Sequence, residues 1–162
     1  MTEILPGPLW DFALELYQQP DIEVQCLQLQ DEYSVRIPML LFVCWLDISG
    51  KEASPEVLKG VLKETAEWYE QVVVPLREAR RWIKSQAPLD ESQRQCRGQI
   101  KAAELAAERW EIQQLAELSK HWPAERAAPL LPRVENYLAA CEVPPPVVQR
   151  TLVLLQGALA PV

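Results

Sequence analysis

The stretch Pro38-Met39-Leu40-Leu41-Phe42-Val43-Cys44-Trp45-Leu46-Asp47 decides the fold. Nine apolar or proline positions precede the first charge, Asp47, which leaves no polar face for a helix lying on a surface. Pro38 suits a first helical turn, where the backbone N–H has no intrahelical partner in any case. A helix over residues 37–48 is roughly 18 Å long at about 1.5 Å per residue. A bilayer needs ~20 apolar residues, so the stretch predicts a central buried helix and no membrane span.

Outward from this helix, prolines punctuate the chain. Residues 1–7 read as an irregular lead, after which Pro8 opens a helix from Leu9 to about Gln19, with Leu9, Phe12, Ala13, Leu16 and Tyr17 on one face. Pro20-Asp21 interrupts it, and a second helix runs to about Tyr33. Gly50 suits the residue just past the central helix, and Ser54-Pro55-Glu56 is a start signal for the next. Pro75 predicts a kink or break in that helix, since it removes one hydrogen bond and crowds the carbonyl of Gln71. Asp90 and Gln93 form a capping box for a long helix to about Lys120. Its stripes Ile100, Ala103, Ala107, Trp110 and Leu105, Ile112, Leu115, Leu118 read as inward, and Lys101, Glu104, Glu108, Arg109 and Glu111 as a solvated face. Two short helices follow, from about Leu131 to Ala140 and from about Val147 to Ala160, joined by an extended Pro144-Pro145-Pro146 link.

The expected fold is therefore all-α: a single-domain bundle of about seven helices around the buried helix 37–48. Residues 1–162 form one domain, with 8–120 as the main bundle and 121–162 as a C-terminal helical extension. Five glycines, fourteen prolines and the lack of alternating β-branched runs agree with this class.

The formal charge of −7 is uneven. Residues 1–53 carry nine acidic and two basic side chains, whereas the remainder is balanced. Such an acidic chain lacks the clustered cations that general nucleic-acid binding needs, so no nucleic acid is expected as a partner. No basic residue precedes Arg36, so no secretory leader is read, and the protein is expected in the cytoplasm. Cys26, Cys44, Cys96 and Cys141 are too widely spaced for a ligand motif and read as reduced thiols.

No catalytic residues, metal ligands or cofactors are predicted. A single histidine, His121, cannot supply an ordinary zinc site or a nucleophilic triad and reads as a helix C-cap. Glycine-rich phosphate loops are absent. The one basic cluster is Arg77, Arg80, Arg81 and Lys84, on one side of a helix. Internal pairing with the acidic N-terminal third is one reading of it; an anion or partner site walled by Trp68 and Trp82 is the other. Glu64, Glu67 and Glu70 read as a solvated face, and Asp31 and Asp47, which border the apolar helix, as caps or arginine partners. Most of the six tryptophans are expected in the core.

An ordered series of residues also carries a resemblance: Leu9-Trp10 with Tyr17, Cys26-Leu27 with Leu29-Gln30-Asp31, Leu40-Leu41-Phe42 with Trp45-Leu46, Val72-Val73, Pro75-Leu76-Arg77, Arg80-Arg81, and Lys101 with Ala103-Glu104-Leu105. Over about residues 8–110 the chain resembles a family of small bacterial helical proteins known only as a domain of unknown function. The resemblance implies a cytoplasmic bacterial protein of helical fold and supplies no activity or catalytic residue. The expected role is a non-enzymatic protein-interaction or adaptor module, with another protein as partner. The alternative is a protein, or an enzyme, that binds a small anion or metabolite in a pocket lined by Arg77, Arg80 and Arg81, with Asp31 or Asp47 as acid partner.

Overall fold

Prolines stand in the first turn of six helices, where a missing N–H removes no bond: Pro8, Pro20, Pro38, Pro55, Pro132, and Pro145 with Pro146. The computed structural model describes residues 8–124, 128 and 131–159. Its helices are α1 (Pro8–Tyr17), α2 (Pro20–Tyr33), α3 (Ile37–Ser49), α4 (Pro55–Trp68), α5 (Val74–Ser85), α6 (Glu91–Ser119), α7 (Pro132–Ala140) and α8 (Pro145–Leu159). A π-turn, Tyr69–Val73, joins α4 to α5 without leaving helical dihedrals, so the described residues form seven helical rods. The lead 1–7 and the Ala160 end of the last helix lie outside the described residues.

The chain folds as one helical domain around α3. Every residue from Ile37 to Cys44 is buried, and α1, α6 and α7 pack against this rod. They meet it with Leu9, Ala13 and Leu16 of α1, Ile112 and Leu115 of α6, and Val134 and Leu138 of α7. Each of the leucine, isoleucine and valine side chains contributes about 1.5–3 kcal/mol by leaving water. Helix α8 packs on α2 and α7; Gln25 of α2 donates to Thr151 of α8 at 2.9 Å inside the seam, and Arg150 of α8 donates to Gln28 of α2 at 3.1 Å at its exposed edge. Gly50 at φ 71° ends α3, the left-handed cap a glycine takes without strain. Ser54 and the Asp90–Gln93 box cap α4 and α6 as their sequences dictate.

Four local expectations are corrected. Pro75 neither breaks nor ends the helix: the Val74 N–H bonds the Tyr69 carbonyl five residues back, so an extra residue re-phases the ladder just before the ring. Pro145 and Pro146 are not an extended link but the first turn of α8, with Pro144 oxygen accepting from Val147 and Val148. The α6 C-terminus is capped by Lys51, whose Nζ donates to Ser119 oxygen at 3.1 Å and Trp122 oxygen at 3.4 Å; His121 is exposed. The tryptophans line the margin rather than the core: Trp10, Trp45 and Trp122 are half-buried against it, and Trp82 is 65% exposed.

Asp47, near the end of α3, is fully buried. It accepts from the Arg133 N–H at 3.1 Å, the Val134 N–H at 3.2 Å and Arg133 Nη1 at 2.8 Å. It therefore satisfies two orphan donors in the first turn of α7 and ties that helix to α3. Asp47→Ala should lower the unfolding free energy by about 3 kcal/mol, read as a shifted urea midpoint, since it strands the donors and the arginine. An unchanged midpoint would show that α7 is held by apolar contact alone.

Candidate functional site

Arg36, the N-cap residue of α3, is a buried cation that composition alone does not flag. Its guanidinium forms an ion pair with Glu111 of α6 and donates to Thr65 Oγ1 at 2.7 Å and Leu62 oxygen at 3.3 Å on α4. It also lies 4.7 Å from the centre of the Tyr69 ring in the π-turn. One side chain therefore fixes α4, the π-turn and α6 about the start of α3.

A second buried network runs beside it. Arg77 of α5 is 6% exposed and donates through Nε to Glu104 and through Nη2 to Glu108, each at 3.2 Å, and through Nη1 to Tyr69 at 3.3 Å. Arg80 reaches Glu104 at 2.5 Å. Burial alone would raise the Glu104 carboxyl, but Arg80 and Arg77 hold it below the usual carboxylate range. Glu108 accepts one hydrogen bond among the described residues, and burial pushes it up to about 7.

These contacts rearrange the basic stripe. Among the described residues Arg77 and Arg80 pair with acids of α6, and of the stripe only Arg81 pairs with the N-terminal third, through Asp31, both being about half exposed. Lys84 is exposed and has no carboxylate partner among the described residues. Trp68 and Trp82 do not wall a common site: Trp68 stacks on Trp110 at 4.3 Å and donates to Ala107 oxygen, while Trp82 points to solvent. Asp47 belongs to the α3–α7 joint, away from the stripe. Of the solvated face expected of α6, Lys101 and Arg109 are exposed, but its glutamates turn to the packed side, with Glu104 at 5% and Glu111 at 0% exposure, whereas Leu105 is 57% exposed. Glu64, Glu67 and Glu70 are exposed as expected. Arg36, Glu104, Glu108 and Glu111 escape a reading by residue type because charge on a helix normally marks its wet face.

Leu105 is exposed because it borders a cleft. Between α1, α2, α5 and α6 lies a depression of about 390 Å³. Ile37, Pro38 and Leu41 of α3 and Ile112 of α6 form its floor, and Leu14, Leu27 and Leu105 its apolar shoulders. Arg80, Lys84, Arg97 and Lys101 are its cations, and Glu23, Glu104 and Glu108 its acids. Lys84, Arg97 and Lys101 make no ion pair among the described residues, and Arg97 Nε is buried without a partner. No group of three or more His, Cys, Asp or Glu that could hold a metal occurs among the described residues, and none of their helices is long and apolar enough to cross a membrane.

Glu111→Ala should cost about 3 kcal/mol in urea unfolding, because it leaves Arg36 buried and uncompensated. The double variant Arg36→Met with Glu111→Leu should lose less than Glu111→Ala alone. Equal or additive losses would rule out the pairing as the source of the cost.

No curated protein and no solved structure matches the chain. A family model described as "Protein of unknown function (DUF2390)" matches residues 8–115, which span α1 through most of α6 and so contain the central helix, both arginine networks and the cleft. The chain belongs to this family of proteins of unknown function.

Proposed function

We propose that this chain is a non-catalytic binding protein whose cleft holds an amphipathic organic anion. Its apolar body rests on Ile37, Leu41 and Ile112, and its acid group sits among Lys84, Arg97 and Lys101. The observation that carries this reading is the convergence, on an apolar floor, of three cations that have no carboxylate partner among the described residues. A volume of about 390 Å³ suits a small molecule, whereas a stable protein interface covers about 800 Å² on each partner. Arg77 and Arg81 take no part in this site, because Glu104, Glu108 and Asp31 already occupy their donors. We further infer a cytoplasmic protein, supported by the unpaired state of all four cysteines.

Calorimetric titration tests the reading with decanoate as probe and decanol as its uncharged counterpart. Decanoate should bind more tightly than decanol. Lys84→Glu and Lys101→Glu should each weaken decanoate by about tenfold, the ~1.5 kcal/mol of one charge-assisted hydrogen bond, with helical circular dichroism unchanged. Equal binding of acid and alcohol, unaffected by either variant, refutes the proposal.

The exposure of Leu14, Leu27 and Leu105 beside those cations favours a second reading, in which an acidic amphipathic segment of another protein docks over the cleft. On that reading a stoichiometric partner is retained from native lysate by the wild-type chain and lost by Leu105→Glu. Retention by both forms counts against it.

A further inference from the structure

We propose that the cleft takes up its anionic ligand together with one proton, held by Glu108. The inference rests on the binding reading above and adds how the site is regulated. Glu104, Glu108 and Glu111 follow one another along the packed face of α6, but only one of them is placed to exchange a proton with the cleft. Glu111 is fully buried behind the Arg36 ion pair and does not line the cleft. Glu104 lines it, yet both of its oxygens accept from Arg77 and Arg80, which keep it ionised. Glu108 lines it with one oxygen bonded to Arg77 and the other free of any hydrogen bond among the described residues.

Charged and titratable groups face Glu108 from each surrounding element. Arg77 and Arg80 come from α5, Tyr69 from the π-turn and Glu23 from α2. Tyr17 of α1 is a neutral phenol, raised to about 12 by burial and by its acidic neighbours. On α6 itself Glu104 and Glu111 disfavour its ionised form and Lys101 lines the same cleft, while Arg36 faces Glu111 from the start of α3. Four cations and three acids line the cleft, so its net charge is +1 with Glu108 ionised and +2 with it protonated. An entering acid group meets one repelling carboxylate fewer when Glu108 is protonated, and the neutral carboxyl can donate to it. The balance is simple: a proton leaves the buffer, an O–H bond forms on Glu108, and no other bond changes. A carboxyl already raised to about 7 makes that uptake inexpensive near neutrality.

The full chain is titrated with decanoate at about pH 7.5 in phosphate and in Tris, whose ionisation enthalpies differ. The wild type should take up most of one proton per decanoate, and its affinity should rise about tenfold from pH 8 to pH 6. Glu108→Gln should bind at both pH values with the tighter, low-pH affinity and no proton uptake. Glu23→Gln, which removes a different acid of the cleft, should keep the uptake. Decanoate binding that is independent of buffer and pH overturns the proton proposal and leaves the binding reading standing. Uptake that persists in Glu108→Gln also overturns it. No decanoate binding at either pH overturns both.

Discussion

The arrangement depends on two opposite charges at the ends of an apolar rod. Helix α3 is buried nearly all round, and apolar contact is non-directional, so grease alone leaves its neighbours free to rotate and slide. Arg36 at its start and Asp47 near its end remove that freedom. The first ties α4 and α6 to one end through Thr65, Leu62 and Glu111, and the second holds the first turn of α7 at the other. Buried ion pairs gain little net stability once desolvation is counted, but an unmatched partner is costly. They therefore act chiefly by penalising wrong registers.

The same logic produces the cleft. Arg77 and Arg80 are consumed by Glu104 and Glu108 in fastening α5 to α6, and Arg81 by Asp31. Cations further along the same two helices, Lys84, Arg97 and Lys101, find no such partner among the described residues. They overhang a gap that α1 and α2 leave open above Ile37, Pro38 and Leu41. An apolar floor with a partly neutralised cationic wall is thus a by-product of how charge is paired in the fold. The least satisfied acid of that network, Glu108, lines the cleft.

Local rules carried much of the architecture. Ser54, the Asp90–Gln93 box, Gly50 and the first-turn prolines each mark a helix end through chemistry within a few residues of itself. Pro75 misleads about a break, because a π-turn just before it keeps the helix continuous, and Tyr69 of that turn is contacted by Arg36 and Arg77 from outside the helix. The faces of α6 mislead for the same reason. Its glutamates look solvated until three distant arginines are folded against them, and Leu105 looks buried until a cleft opens in front of it.

By itself, then, the sequence determined the class, most of the helix ends and the central rod, since these follow from backbone sterics, capping and the length of one apolar run. Tertiary structure alone decided which acid meets which arginine and which cations are left over. Those outcomes are set by partners far apart in the chain, such as Arg36 with Glu111 and Asp47 with Arg133. Coulombic pairing depends on distance in space, and no periodicity along one helix encodes that distance.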